Sequence, residues 1–203
     1  MSRALVVAVV VLAALAGCSG GGPSRAVDSG TAASVEGSAL EATGYEHTGT
    51  DDRTLNTTVG ASISGDVELD AERPVTATIP VASYRRETTA GPALFLVAAS
   101  PAVRPIETQP VARDPLATVG PAARTNRLQS TYTVSSLSRG ENVSATVLGN
   151  ETAARTYTAS AAQGEVTVRI ASVRDDDEFV TVVAVTPVAD EERFQRLGSG
   201  VTH

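Results

Sequence analysis

The chain has 203 residues, of which 16 are basic and 23 acidic, giving a formal net charge of −7 and a sequence pI of about 4.8. That length admits one domain or two small ones, and the acidic balance, with no basic stretch longer than Arg85-Arg86, argues against a nucleic-acid partner. One cysteine excludes an intrachain disulfide and any CxxC site, and two histidines leave little for a zinc enzyme.

The N-terminus carries the clearest signal. Arg3 forms a minimal positive region, and residues 4–16 are apolar and uncharged. Such a run fits a secretory leader and is too short to cross a bilayer, which takes about 20 residues. It ends in Leu15-Ala16-Gly17-Cys18, a branched apolar residue and two small ones before a cysteine, which resembles a lipobox. Cys18 is therefore the expected lipid-attachment residue, and residues 1–17 the signal peptide removed before it. With no twin arginine ahead of the apolar run, export follows the general secretory route. Residues 18–35 read as a flexible tether, glycine-rich at first and without apolar periodicity. Gly17-Cys18-Ser19-Gly20-Gly21 matches GxSxG, but a nucleophile elbow needs a strand before its serine and a helix after it. A leader and a tether supply neither.

Residues 36–203 read as a single α+β domain on the outer side of the membrane. Beyond residue 17 the chain has 22 Val but only three Phe, so the core should be thin and built on small aliphatic side chains. Ser38-Ala39-Leu40-Glu41 has the capping-box pattern and opens a short helix that stops near Gly44. Residues 53–64 and 66–70 alternate weakly, as strands of a hairpin around Ser64-Gly65. Residues 74–87 are a stronger strand. Residues 93–99, an apolar run between Gly91-Pro92 and Ser100-Pro101, read as a buried one. Prolines 105, 110 and 115 make residues 103–115 loop or edge. Pro121 in a first turn predicts a helix over 121–130, and Gly120-Pro121 forbids its continuation backwards.

The last third is the most regular. Residues 141–148, 151–159, 165–173 and 178–186 are β-rich runs separated by Gly149-Asn150, Gln163-Gly164 and an acidic turn over 174–177. Connections that short predict an antiparallel meander. Residues 179–185 are nearly all apolar, as in a central strand covered on both faces. Pro187 is then expected to open a helix with Asp190, Glu191 and Glu192 in its first turn and Phe194, Leu197 and Val201 on its apolar stripe. A Glu192–Arg196 ion pair and a stop at Gly198 complete it. The fold class is α+β: an antiparallel β-sheet with a C-terminal four-strand meander and a few short helices packed on it, including a C-terminal helix.

Several stretches together resemble a known family. They are the lipobox, Ala39-Leu40-Glu41-Ala42-Thr43-Gly44-Tyr45-Glu46-His47, Ala82-Ser83-Tyr84-Arg85-Arg86-Glu87, residues 95–101, Thr146-Val147-Leu148-Gly149, residues 179–187 and Gly200-Val201-Thr202-His203. In that order they are similar to a haloarchaeal lipoprotein family defined as a domain of unknown function, number 6517. The likeness runs from about Ser38 to His203 and departs from the family's fuller helix at Gly120-Pro121. It implies an exported lipoprotein of a salt-loving cell and brings no catalytic residues with it.

Candidate chemical sites are few. His47, beside Tyr45 and Glu46, is a potential ligand or base, and His203 joins it if the two stretches meet. Packing or capping is the expected role of both, because two histidines lack a third metal ligand at readable spacing. Asp175-Asp176-Asp177-Glu178 has the charge for a hard cation but not the spaced oxygens of a calcium loop, so a solvated turn is expected. No cofactor and no metal are expected. Asn56, Asn142 and Asn150 each open an Asn-x-Ser/Thr sequon, with Asn150 in a tight turn favoured and Asn142 next.

Two classes of function fit. The first is a non-enzymatic cell-surface lipoprotein, held to the membrane by the lipid on Cys18 and binding a protein or small-molecule partner. Its variant takes an apolar ligand between sheet and helices. The alternative is an exported hydrolase using His47. All 16 basic residues are arginine. A GC-rich genome alone favours arginine over lysine. An acidic, lysine-free surface also suits molar salt, where the Debye length falls to about 3 Å.

Overall fold

The computed structural model describes residues 26–63, 69–106 and 111–203. The expected signal peptide, Cys18 and the turn at Ser64-Gly65 lie outside the described residues. The elements in order are β1 (Ala26–Ser29), β2 (Ser34–Val35), α1 (Gly37–Thr43), β3 (Glu46–Ile63), β4 (Leu69–Thr88) and β5 (Gly91–Pro101). A 3₁₀ turn (Pro115–Thr118) and α2 (Pro121–Leu128) lead to β6 (Leu137–Arg139), β7 (Val143–Val147), β8 (Asn150–Ala161), β9 (Gly164–Asp175) and β10 (Glu178–Thr186). The last are α3 (Glu191–Ser199) and β11 (Val201–Thr202).

One sheet dominates, in the order β1-β4-β5-β10-β9-β8-β6, with β3 on the other side of β4 and β7 alongside β8. All its pairings are antiparallel except β1 with β4, which is parallel. The α+β class stands, and so does the meander, β7 through β10. Its turns need unusual backbone. Leu148 and Gly149 have φ of 52° and 72°, and Asp176 has φ of 49°. Two-residue hairpins matched to strand twist need positive φ at both central residues, as at Leu148-Gly149, or at the first, as at Asp176.

The central strands explain the unbroken apolar runs. Along β5 and β10 successive side chains point to opposite faces, and both faces are covered. Phe95, Val97, Val180 and Val182 face α1 and α3, where Phe194 and Leu197 complete a first apolar cluster. Leu94, Leu96, Val183 and Val185 face the long connection from β5 to β6, where Leu116, Leu128, Tyr132 and Val134 complete a second. The space beneath the terminal helices is thus filled by side chains.

Several expected boundaries move. The tether expected over 18–35 ends sooner, since β1 pairs with β4 and β2 pairs with β11. The Ser38 capping box does not form. Val35 pairs with Val201 and the Glu36 amide donates to the Gly200 carbonyl at 2.8 Å, so the helix starts at Gly37 with Glu36 as its N-cap and no side-chain capping bond. Its stop at Gly44 holds, in the left-handed conformation glycine favours (φ 70°). The β3–β4 hairpin reaches back to Glu46, beyond the expected start at 53. That part is a polar edge whose backbone ladder with β4 needs no apolar alternation. Pro187 does not open α3. Asp190 is its N-cap and accepts from the Arg193 amide at 3.1 Å, which outweighs the proline signal. The helix continues through Gly198 to Ser199, and the expected Glu192–Arg196 pair is not among the ion pairs of the described residues.

Candidate functional site

The connection from β5 to β6 builds the principal cleft. Pro101 ends β5, and Val103 bridges to Arg113 through two backbone bonds of 2.8 and 2.9 Å. Asp114, buried, accepts from the Ser100 hydroxyl at 2.6 Å and from the Leu116 amide at 2.8 Å, which caps the 3₁₀ turn. Gly120-Pro121 then breaks the chain direction before α2, as its residue types require. Two side-chain amides fix the strap between α2 and β6. Asn126 exchanges bonds of 2.8 and 2.9 Å with the Val134 backbone, and Gln129 exchanges bonds of 2.6 and 2.7 Å with Tyr132. Paired amides of this kind replace backbone ladder bonds that an irregular segment lacks.

Between the β5–β6 connection and the β8–β10 part of the sheet lies a cleft of about 550 Å³. Arg113 from the connection, Arg124 from α2, Arg139 from β6 and Arg155 from β8 all line it, over a floor that includes Ile170 and Phe179. In a chain of net charge −7, none of these four has a carboxylate within ion-pair distance among the described residues. Six other arginines, 53, 85, 86, 104, 174 and 193, do have one.

Arg124 is the exceptional member. It is only 7 % exposed, its guanidinium reaches the Val119 carbonyl at 3.4 Å, and its Nε has no hydrogen-bond partner among the described residues. Burial pulls its pKa below the ordinary arginine value, the Asp114 charge pulls back up, and the Arg155 charge again lowers it. Burial likewise raises the Asp114 pKa, against the Ser100 hydroxyl, the Leu116 amide and the Arg124 charge. Desolvation thus prevails over mutual attraction on both partners. An unpaired buried donor on a cation is expensive to maintain.

Sequence patterning alone does not disclose this cleft. The four arginines lie on four elements with no common spacing, and only the crossover brings them together. One signal is present: residues 115–140 contain Arg124, Arg127 and Arg139 and no acid at all.

The histidines have separate partners. His47 is exposed, with Nε2 at 3.2 Å from the Thr50 hydroxyl and its ring 5.2 Å from that of Tyr84. His203 has Nδ1 at 2.8 Å from Asp175 and Nε2 at 2.9 Å from Glu178. Glu178 also accepts from the Thr31 amide at 2.9 Å and the Thr31 hydroxyl at 2.9 Å, while Asp177 pairs with Arg104 at 2.7 Å. The acidic turn, expected to be merely solvated, is therefore a latch that ties Thr31, after β1, and His203, after β11, to the β9–β10 hairpin. Among the described residues no group of three or more His, Cys, Asp or Glu is placed to hold a metal ion.

Burial opposes the charged imidazole of His203, but the Asp175 hydrogen bond and the Glu178 and Asp175 charges together raise its pKa above the usual value. A raised folded-state pKa stabilises fully below the unfolded value of about 6.5 and loses that contribution as pH rises through the higher folded value. Because Asp175 is 44 % exposed, solvent screening limits the effect to about 1 kcal/mol or less. An NMR titration of the His203 ring should return a pKa above about 6.5. A value at or below it contradicts the latch.

The sequon asparagines are all exposed. Asn56 lies on edge strand β3 and accepts from Thr76 Oγ1 at 2.9 Å; Asn150 opens β8 and donates to the Leu148 carbonyl at 3.1 Å. Asn142 lines the arginine cleft.

The described residues define a mainly β member of the α+β class, with one sheet covered on both faces and a cationic cleft under its crossover. The family model described as Domain of unknown function (DUF6517) matches residues 32–202, and the chain belongs to that family. Neither a curated protein nor a solved structure matches the chain. No helix among the described residues is long and apolar enough to cross a membrane.

Proposed function

We propose that this protein is a lipid-anchored module on the extracellular face of the cell membrane that binds a ligand in the arginine cleft and does not transform it. The observation that carries the binding role is the convergence of Arg113, Arg124, Arg139 and Arg155 on one cleft of an acidic chain. Four cations against one lining carboxylate, Asp114, leave an excess of positive charge in a concave site, which favours a ligand of opposite sign. The anchor rests on the lipobox at Cys18, and the lysine-free acidic composition suits a haloarchaeal surface. A binding role, and not hydrolysis, is supported at both histidines. His203 has both ring nitrogens engaged by carboxylates, and the hydrogen-bonding neighbour of His47 is a threonine hydroxyl. Glycosylation at Asn142 would crowd the cleft, so the binding role favours Asn150 or Asn56 as the modified residue.

Mass spectrometry of the protein extracted from its own membranes tests both parts. Under denaturing conditions the mass should be that of a chain beginning at Cys18 plus lipid; under native conditions it should be larger by a bound small molecule. A denatured mass beginning at Met1 overturns the anchor. Equal native and denatured protein masses overturn the binding role.

A further inference from the structure

The geometry points to a small organic phosphate or sulfate ester as the ligand of the arginine cleft, its tetrahedral oxyanion between Arg124 and Arg155 and its carbon body on the cleft floor toward Phe179. This inference rests on the binding role proposed above and gives it a chemical class.

Five features select that class. The four arginines come from the two opposed sides of the cleft, Arg113 and Arg124 from the β5–β6 connection and Arg139 and Arg155 from the paired strands β6 and β8 of the sheet. A planar carboxylate is satisfied by one or two forks lying in its own plane, whereas a tetrahedral oxyanion offers acceptor oxygens on every side. Arg124 and Arg155 line the same cleft from its two sides, and a shared anion between them relieves the repulsion of two like charges. The buried Nε of Arg124, without a partner among the described residues, is a donor already desolvated in a residue that lines the cleft.

The other two features concern the ligand's body. A volume of about 550 Å³ far exceeds a bare anion and falls among clefts that hold small organic molecules. The chain has three phenylalanines; Phe95 and Phe194 are buried in the core, while Phe179 remains partly exposed on the cleft floor, four residues along the sheet from the pair formed by Ile170 and Val183. Apolar surface left there matches an ester with a carbon portion. A long polyphosphate chain is disfavoured, because the net charge of −7 repels it outside the cleft.

Isothermal titration calorimetry on the full chain in detergent, at one fixed high salt concentration, tests the proposal with phenyl phosphate, inorganic phosphate and benzoate as probes. Vesicles containing phosphatidylglycerol form a further arm, which separates a lipid headgroup from a free ester. Phenyl phosphate should bind at least about tenfold more tightly than either benzoate or inorganic phosphate. Arg124→Gln should weaken it by about tenfold to a hundredfold, the range expected for losing charge-assisted hydrogen bonds. Because Arg124 is buried and its replacement can disturb folding, Arg155→Gln, on an exposed side chain, provides the second variant and should weaken binding likewise. Arg127→Gln, exposed and outside the cleft, should bind as the wild type does. Vesicle binding that is lost in Arg155→Gln supports the same chemistry and identifies the source as a headgroup. Benzoate binding as tightly as phenyl phosphate, or Arg155→Gln binding as tightly as Arg127→Gln, overturns the proposal. A protein that copurifies with a bound small molecule but binds none of the phosphate probes loses this inference and keeps the broader binding role.

Discussion

Phe95→Ala lowers stability by about 3–5 kcal/mol, the range for emptying a large aromatic site in a core. Phe95 is fully buried at the middle of the sheet, and its ring meets that of Phe194 edge-on at 6.2 Å between centroids. The chain offers no other phenylalanine to this core, and the neighbours on β5 and β10 are Val and Ala, too short to close the cavity. For a domain of this size the loss corresponds to a fall in melting temperature of about 10 °C. Phe95 points to the face opposite the arginine cleft, so the variant that remains folded keeps its affinity for phenyl phosphate. Thermal unfolding followed by circular dichroism, with calorimetry on the folded fraction, measures both. A change of less than about 1 kcal/mol contradicts the packing described for this face.

Gly198→Ala also destabilises, although glycine-to-alanine within a helix ordinarily gains about 1 kcal/mol. Gly198 lies within α3, and a Cβ built there falls 2.7 Å from the Thr146 backbone oxygen of β7. No side-chain rotation relieves a contact with backbone, so helix and strand must separate. Gln195, one turn earlier, bonds to the neighbouring Ser144 carbonyl, and that bond is strained by the same separation. Overpacking against backbone costs up to about 3 kcal/mol, which leaves a net loss of up to about 2 kcal/mol after the gain in helix propensity is subtracted. Thermal unfolding of the single variant decides the sign. A higher melting temperature than the wild type means that α3 does not press on β7 as described.

How far the sequence discloses this fold depends on what each segment is for. The apolar run over 179–185 is legible as a strand covered on both faces because burial writes itself as uninterrupted Val and Ala. The meander is legible because its turns are short and one of them carries glycine at a left-handed position. Residues 46–52 are not, since an exposed edge held by backbone bonds leaves no side-chain pattern. The capping box at Ser38 misleads because strand pairing at Val35 determines where the helix begins, and that pairing joins residues 166 positions apart. His203 is visible as a candidate, but its partners Asp175 and Glu178 are assembled only by the sheet. The cleft is the extreme case. Arginine spacing along the chain is silent, and only the stretch without acids over 115–140 hints that some cations have no local partner.

The latch and the cleft assign different duties to similar charges. Around Asp175, Asp177 and Glu178 each cation has its carboxylate, and the result holds Thr31 and His203 against the β9–β10 hairpin. Under the crossover the cations are left without counter-charge beyond the buried Asp114. Pairs near the surface contribute little to stability, whereas unpaired donors in a cleft retain their capacity for a ligand.

Oxyanion binding in the cleft is best tested by soaking crystals of the chain in tungstate, a tetrahedral oxyanion with strong anomalous scattering. An anomalous peak is expected between the guanidinium groups of Arg124 and Arg155, absent when Arg155→Gln crystals are soaked in the same way. A peak confined to other surface arginines, or none in the cleft, contradicts the binding role assigned to these arginines.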